Sequence, residues 1–115
     1  MIDDTTRPWL HGLLDLCLLG LLAEQRDYGL SLASRLDDAG FGSLPGGTLY
    51  PALLRLETTG LVSAAREPSP SGPPRKYFEI SELGRQALDA RRAAWIRFSG
   101  RVDIVLGAAD QGAPA

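Results

Sequence analysis

Between positions 10 and 23 the chain carries eight leucines, at 10, 13, 14, 16, 18, 19, 21 and 22. Wound as a helix, they cover more than one face, and a helix that is apolar on most sides must be buried on most sides. One face can pack on its own domain. The other needs a second surface, which first points to a homodimer. Pro8 suits the opening turn, so Trp9 to Ala23 read as helix one. The run is too short to cross a bilayer core of ~30 Å, and His11 and Asp15 interrupt it. Asp3 and Asp4 stand where a signal peptide would be basic, so the expected location is the cytoplasm, with no membrane partner.

The next stretches are punctuated by turn residues. After a turn at Glu24 to Asp27, with Asp27 as helix cap, Tyr28 to Ala39 read as helix two, and Gly40 stops it. Phe41 to Pro45 form a loop. Helix three runs from Gly47 or Thr48 to Thr59, and Leu49, Leu53 and Leu56 make one apolar stripe on it. Thr48, Tyr50, Pro51, Arg55 and Thr59 fall off that stripe and are expected to face outward. Leu61 to Arg66 and Arg75 to Ile80 read as two short strands. Between them, Glu67 to Pro74 hold four prolines and read as a loop.

Ser81 then caps a long helix. Leu88, Trp95, Phe98, Val102 and Val105 recur on it at spacings of 7, 3, 4 and 3, which is a heptad-like seam. Arg91, Arg92, Arg97 and Arg101 ring the other faces, and Gly100 is a candidate kink. The expected fold is mainly α with a small β-hairpin. It is a winged helix-turn-helix over 1–80, with helix one shared with the dimer interface, then a dimerisation helix over 81–107 and a flexible tail over 108–115. Residues 1–7 are expected to fray.

A chain of 115 residues is one domain and buries only a modest core. One cysteine, Cys17, allows neither an internal disulfide nor a cysteine-based zinc site, and its apolar neighbours mark it as a core thiol. No metal or cofactor site is expected. An enzyme is also unexpected: His11 is the single histidine and has no acid or nucleophile grouped with it, and the glycines at 40, 42, 46 and 47 do not form a phosphate-binding pattern.

The net charge of −2 is not what a nucleic-acid binder shows in bulk. The imbalance is local. Residues 1–40 hold Arg7, Arg26 and Arg35 against Asp3, Asp4, Asp15, Glu24, Asp27, Asp37 and Asp38. Residues 41–80 hold Arg55, Arg66, Arg75 and Lys76 against Glu57, Glu67 and Glu79. The half that contains helix three and the hairpin is mildly basic.

Three segments resemble the PadR-like transcriptional regulators. They are Gly47-Thr48-Leu49-Tyr50-Pro51-Ala52-Leu53 with Leu56-Glu57 and Gly60-Leu61; Arg75-Lys76-Tyr77-Phe78 with Ile80-Ser81-Glu82-Leu83-Gly84; and Tyr28-Gly29. The short C-terminal part is similar to the smaller subfamily, which has a single dimerisation helix. The resemblance implies a homodimer that binds an inverted-repeat operator on double-stranded DNA and usually represses. Helix three would enter the major groove and the hairpin would touch the minor groove or backbone. The proline-rich wing, with Glu67 where basic residues would help, departs from that pattern.

On this reading Thr48, Leu49, Tyr50, Pro51, Arg55, Arg75 and Lys76 contact DNA. Leu10, Leu14, Cys17, Leu21, Leu88, Trp95, Phe98, Val102 and Val105 form the dimer interface. The resemblance further implies a cavity between the subunits, which in some small regulators of this family is lined by an aromatic of the last helix, and Trp95 falls at the matching place. Leu88, Arg91, Trp95 and Phe98 are therefore the candidate site for a planar apolar or cationic effector. The rival reading is a winged-helix dimer that binds another protein and not DNA, which the acidic balance favours.

Overall fold

The computed structural model describes residues 7–107. The expected flexible tail at 108–115 lies outside them, as do the terminal residues expected to fray, apart from Arg7, which opens the first helix. The elements in order are α1 (Arg7–Glu24), β1 (Asp27–Tyr28), α2 (Gly29–Leu36), a wide helical turn (Asp37–Phe41), α3 (Gly46–Thr58), β2 (Val62–Ser69), β3 (Gly72–Ile80) and α4 (Glu82–Leu106).

The leucines of α1 make the centre of the core. Leu10, Leu14, Leu18, Leu19 and Leu22 are buried against Leu32 and Leu36 of α2, Leu49, Leu53 and Leu56 of α3, and Val62, Phe78 and Ile80 of the sheet. Leu10 and Leu14 are only 4% and 2% exposed in the single chain, and Leu88 of α4 only 5%. This corrects their assignment to the dimer interface: their area is already spent within the protomer. Cys17 and Leu21 are half-buried on the edge of the core. Burial pushes the Cys17 thiol above its ordinary pKa, as a core thiol requires.

The sheet has three antiparallel strands in the order β1-β3-β2, not the two expected. Asp27 and Tyr28 pair with Phe78 and Tyr77. Asp27 is therefore a strand residue, and the residue flanking α2 is Tyr28. The Asp27 carboxylate is buried and accepts from Ser31 Oγ at 2.7 Å, Arg35 Nη1 at 3.0 Å and the Tyr28 N–H at 2.9 Å. Arg35 also donates to the Leu21 carbonyl and to Glu24 Oε1. One guanidinium thus ties the end of α1 to β1 and α2, and a buried charge is tolerated only when it is paired in this way. Gly40 takes φ 101 and turns the chain out of helix two, as its position in the sequence implies.

The proline-rich stretch is not a loop. β2 and β3 stay paired through Arg66↔Lys76 and Glu67↔Arg75 to Ser69↔Gly72, which leaves Pro70 and Ser71 as the turn. The ladder tolerates these prolines because β1 reaches only Phe78 and Tyr77, so the tip is a two-stranded ribbon with free edges. The register shifts between Glu67 and Ser69, at Pro68.

Ser81 caps α4 as expected, its Oγ accepting from the Gly84 N–H at 3.0 Å while donating to the Gly60 carbonyl at 2.6 Å. The helix does not kink at Gly100 and ends at Gly107, which takes φ 80. Only Gly84 and Leu88 of α4 are buried. Beyond Leu88 the helix is an arm that bears Trp95, Ile96, Phe98, Val102, Ile104, Val105 and Leu106 with substantial apolar exposure.

Candidate nucleic-acid interface

α3 begins on Pro45, whose carbonyl accepts from the Thr48 and Leu49 N–H groups. Thr48 lies within the first turn and not at the cap, contrary to one reading of the sequence. Pro51 lies inside the helix, just past the first turn, and leaves the Gly47 carbonyl without its i+4 donor. At about 3.6 residues per turn, the buried stripe of Leu49, Ala52, Leu53 and Leu56 faces the core. Gly47, Pro51, Leu54 and Thr58 occupy the opposite side, with Tyr50 and Arg55 on its two flanks. Leu49 is 2% exposed, so it supports this surface from beneath and is not a contact, which corrects its place in the expected set.

Tyr50 projects from that side and lies over the start of α2. A Cβ on Gly29 would come within 2.6 Å of its ring, so the glycine of the Tyr28-Gly29 pair is what allows the ring to lie there. Arg75 stacks on Tyr28 with its guanidinium carbon 4.4 Å from the ring centre. Lys76 Nζ meets Glu57 Oε1 of α3 at 3.0 Å. These groups surround one hollow of about 410 Å³ between α3 and the sheet, which also exposes Leu30 and Leu54. The fold therefore brings Tyr50, Arg75 and Lys76, three of the residues expected to contact DNA, to one hollow. It adds Tyr28, Leu30 and Leu54. Leu54 was legible in the helical spacing, since it is off the stripe that Leu53 and Leu56 define.

Arg55 departs from expectation. It sits on the flank of α3 nearest α1, and its guanidinium donates to Asp15 from Nη2 at 2.9 Å and Nε at 3.3 Å. That hydrogen bond and charge hold Arg55 protonated even above its usual range. The pair lies at the surface on the α1 side of α3, across the helix from the hollow beside the sheet.

Glu67 of the wing is likewise engaged. Arg26 grips it through both guanidinium nitrogens, Nη2 reaching Oε1 at 2.6 Å, and this holds the Glu67 carboxyl below its ordinary range. Arg26 also lies 4.6 Å above the Tyr77 ring, which meets Tyr28 edge-on at 5.3 Å. The unfavourable acid of the wing is thereby neutralised by a residue forty-one positions away.

A second site lies between α1 and the α4 arm. Two adjoining hollows, of about 630 and 570 Å³, share Gly12, Leu13, Trp95 and Phe98. Asp15, Arg55 and Arg91 line the first, and Trp9 and Val102 the second. Trp95 is 39% exposed, with its ring centre 6.4 Å from that of Phe98. Leu88 was expected in this set but is buried in the core and lines neither hollow.

Three helices followed by an antiparallel hairpin, with α3 presented beside that hairpin, define a winged helix-turn-helix protein. The profile of the transcriptional regulator PadR-like family matches residues 18–90. Among solved structures, the PadR family transcriptional regulator from Eggerthella lenta DSM 2243 superposes with a TM-score of 0.78 at 31% identity, over 90% of each chain. The PadR-like regulator from Bacillus cereus strain ATCC 14579 gives 0.75 at 32%, over 84% of this chain and 94% of the other. A Streptococcus transcriptional regulator gives 0.75 at 33%, over 84% and 95%. The chain belongs to the PadR-like family of transcriptional regulators. Among the described residues no helix is long and apolar enough to cross a membrane, and no group of three or more potential metal ligands occurs.

Proposed function

We propose that two copies of this chain bind an inverted-repeat operator, with each α3 in a major groove and each hairpin against the flanking backbone. The observation that carries this reading is the single hollow that gathers Tyr50 of α3 with Arg75 and Lys76 of β3. Phosphate contacts from such residues fix register on a duplex, while the groove-facing side of the helix reads bases. A dimer seated over a promoter obstructs transcription, so we assign it as a repressor. The α1–α4 groove then takes a planar apolar or cationic effector beside Trp95, Phe98 and Arg91, and filling it changes the angle between the arms and hence the half-site spacing of ~34 Å.

The first test is a mobility-shift titration against the DNA upstream of its own gene. Arg75→Ala and Lys76→Ala should each weaken binding and flatten the salt dependence by about one unit of slope. The Lys76 change also leaves Glu57 facing the phosphates. Arg55→Ala measures whether the exposed guanidinium, paired at the surface with Asp15, also reaches a phosphate: an unchanged slope would exclude it as a contact. Absence of binding at low salt would turn the assignment to protein recognition through the exposed Leu30, Tyr50 and Leu54.

The effector site is tested by tryptophan fluorescence. Planar aromatic cations should quench the Trp9→Phe protein through Trp95 and weaken its hold on DNA, and DNA must weaken their binding by the same factor. Unchanged Trp95 emission across a panel of such cations would remove the effector from this reading.

A further inference from the structure

The middle of the outward side of α3 carries no charged side chain: Gly47, Pro51, Leu54 and Thr58 stand there, flanked by Tyr50 on one side and Arg55 on the other. Leu54 lies near the middle of it and is 56% exposed. Pro51, three residues earlier and therefore a surface neighbour at about 5–6 Å, is exposed beside it. The cations close to this surface stand at its edges, Arg55 beside Asp15, Lys76 beside Glu57 and Arg75 over the Tyr28 ring. A bidentate guanine reader needs a free arginine or lysine, and an adenine reader needs an asparagine or glutamine. The middle of that side has neither. It offers a short apolar strip, and the one apolar group that a base edge displays in the major groove is the C5-methyl of thymine.

We propose that Leu54, flanked by Pro51, reads a thymine methyl in each half-site, so that this position is specified as T·A by apolar contact and not by hydrogen bonding. The inference rests on the assignment of α3 as the helix that enters the groove. It accounts for an exposed leucine at the centre of that surface, and it makes Leu54 the residue that sets specificity there. Tyr50, Arg75 and Lys76 then supply affinity without sequence information.

Deoxyuridine pairs as thymidine does and lacks only the methyl, which makes the test direct. Duplexes are selected from a random-sequence pool with the full chain, the half-site is read, and the selected duplex is resynthesised with deoxyuridine at each thymine in turn. Fluorescence anisotropy should show one thymine per half-site where the change weakens binding about fourfold, and about fifteenfold when both half-sites carry it. Leu54→Ala, at an exposed helical position where alanine keeps the fold, should bind the thymine and uracil duplexes equally. Selection with Leu54→Arg should replace that thymine by guanine.

If the wild type ignores every deoxyuridine, or Leu54→Ala remains as sensitive as the wild type, the inference is overturned while DNA binding stands. If Leu54→Arg still selects thymine, the base is read by another residue and the inference also falls. A pool that never enriches overturns the DNA-binding assignment itself and this inference with it.

Discussion

Gly84→Ala is expected to destabilise the protein by about 3 kcal/mol, at the upper end of what overpacking costs. Helix propensity alone gives the opposite sign, since alanine is favoured over glycine within a helix by up to about 1 kcal/mol. The difference lies in what surrounds Gly84. An added Cβ would stand 2.0 Å from the Leu61 carbonyl oxygen and 2.7 Å from Ile80 Cγ1. The first neighbour is backbone and cannot rotate away. That carbonyl also accepts the Ser81 N–H at 3.0 Å, and the Ser81 side chain caps α4 through the Gly84 N–H itself. Relief therefore requires α4 to lift off the start of β2, which loosens the cap and opens the core beneath Leu61 and Ile80. Circular dichroism on heating should show the midpoint lowered by roughly 10–20 °C, compared at equal protein concentration because association raises apparent stability. An unchanged or raised midpoint would show that α4 does not cross β2 this closely.

The same glycine shows how unevenly the sequence discloses its structure. Periodicity located α1, α3 and α4, and the Ser81 cap, because those features depend on residues within a turn or two of one another. Gly84 was visible only as part of a resemblance, since its reason is a contact with Leu61 across two junctions. β1 was missed for a related cause. Two residues have no period, and they are a strand only because β3 lies beside them. The prolines at 68, 70, 73 and 74 argued for a loop. They are compatible with strands because the hairpin tip outruns β1 and has free edges on both sides.

The candidate interface divides in the same way. Tyr50, Pro51, Arg75 and Lys76 were legible because an outward position on a helix, or beside a wing, is a local property. Arg55 was also outward by spacing, but the α3 flank it occupies faces Asp15 of α1, forty positions earlier. Glu67 looked harmful to the wing until Arg26 was seen to hold it. Leu10, Leu14 and Leu88 looked available to a partner because a count of leucines on a helix does not say which neighbour takes each face. Spacing identifies surfaces; pairing across the fold decides which of their charges and leucines remain free.

Phe98→Glu is expected to separate the proposed dimer without harming the protomer. Phe98 is 58% exposed in the single chain, so its loss removes little from the core. It lies on the arm with Trp95, Val102 and Val105, and a large apolar patch on an otherwise solvated helix signals an interface. Around a two-fold axis the same residue enters the contact twice. Each copy would forfeit an aromatic anchor and place a carboxylate in an apolar seam, so a loss of about 4 kcal/mol or more is expected, which is about a thousandfold in the dimer dissociation constant. Sedimentation velocity at micromolar concentration should then show a monomer with unchanged helicity. Binding to an inverted repeat should fall by about a hundredfold or more, since a monomer gives up the effective concentration that joins the two half-sites. A half-site duplex should be bound as weakly by the variant as by the wild type's separated subunits. Leu88→Glu provides the contrast, because Leu88 is core within one chain and its replacement should unfold the protomer outright. If Phe98→Glu and Val102→Glu both sediment as dimers, the subunits meet on some surface other than this arm.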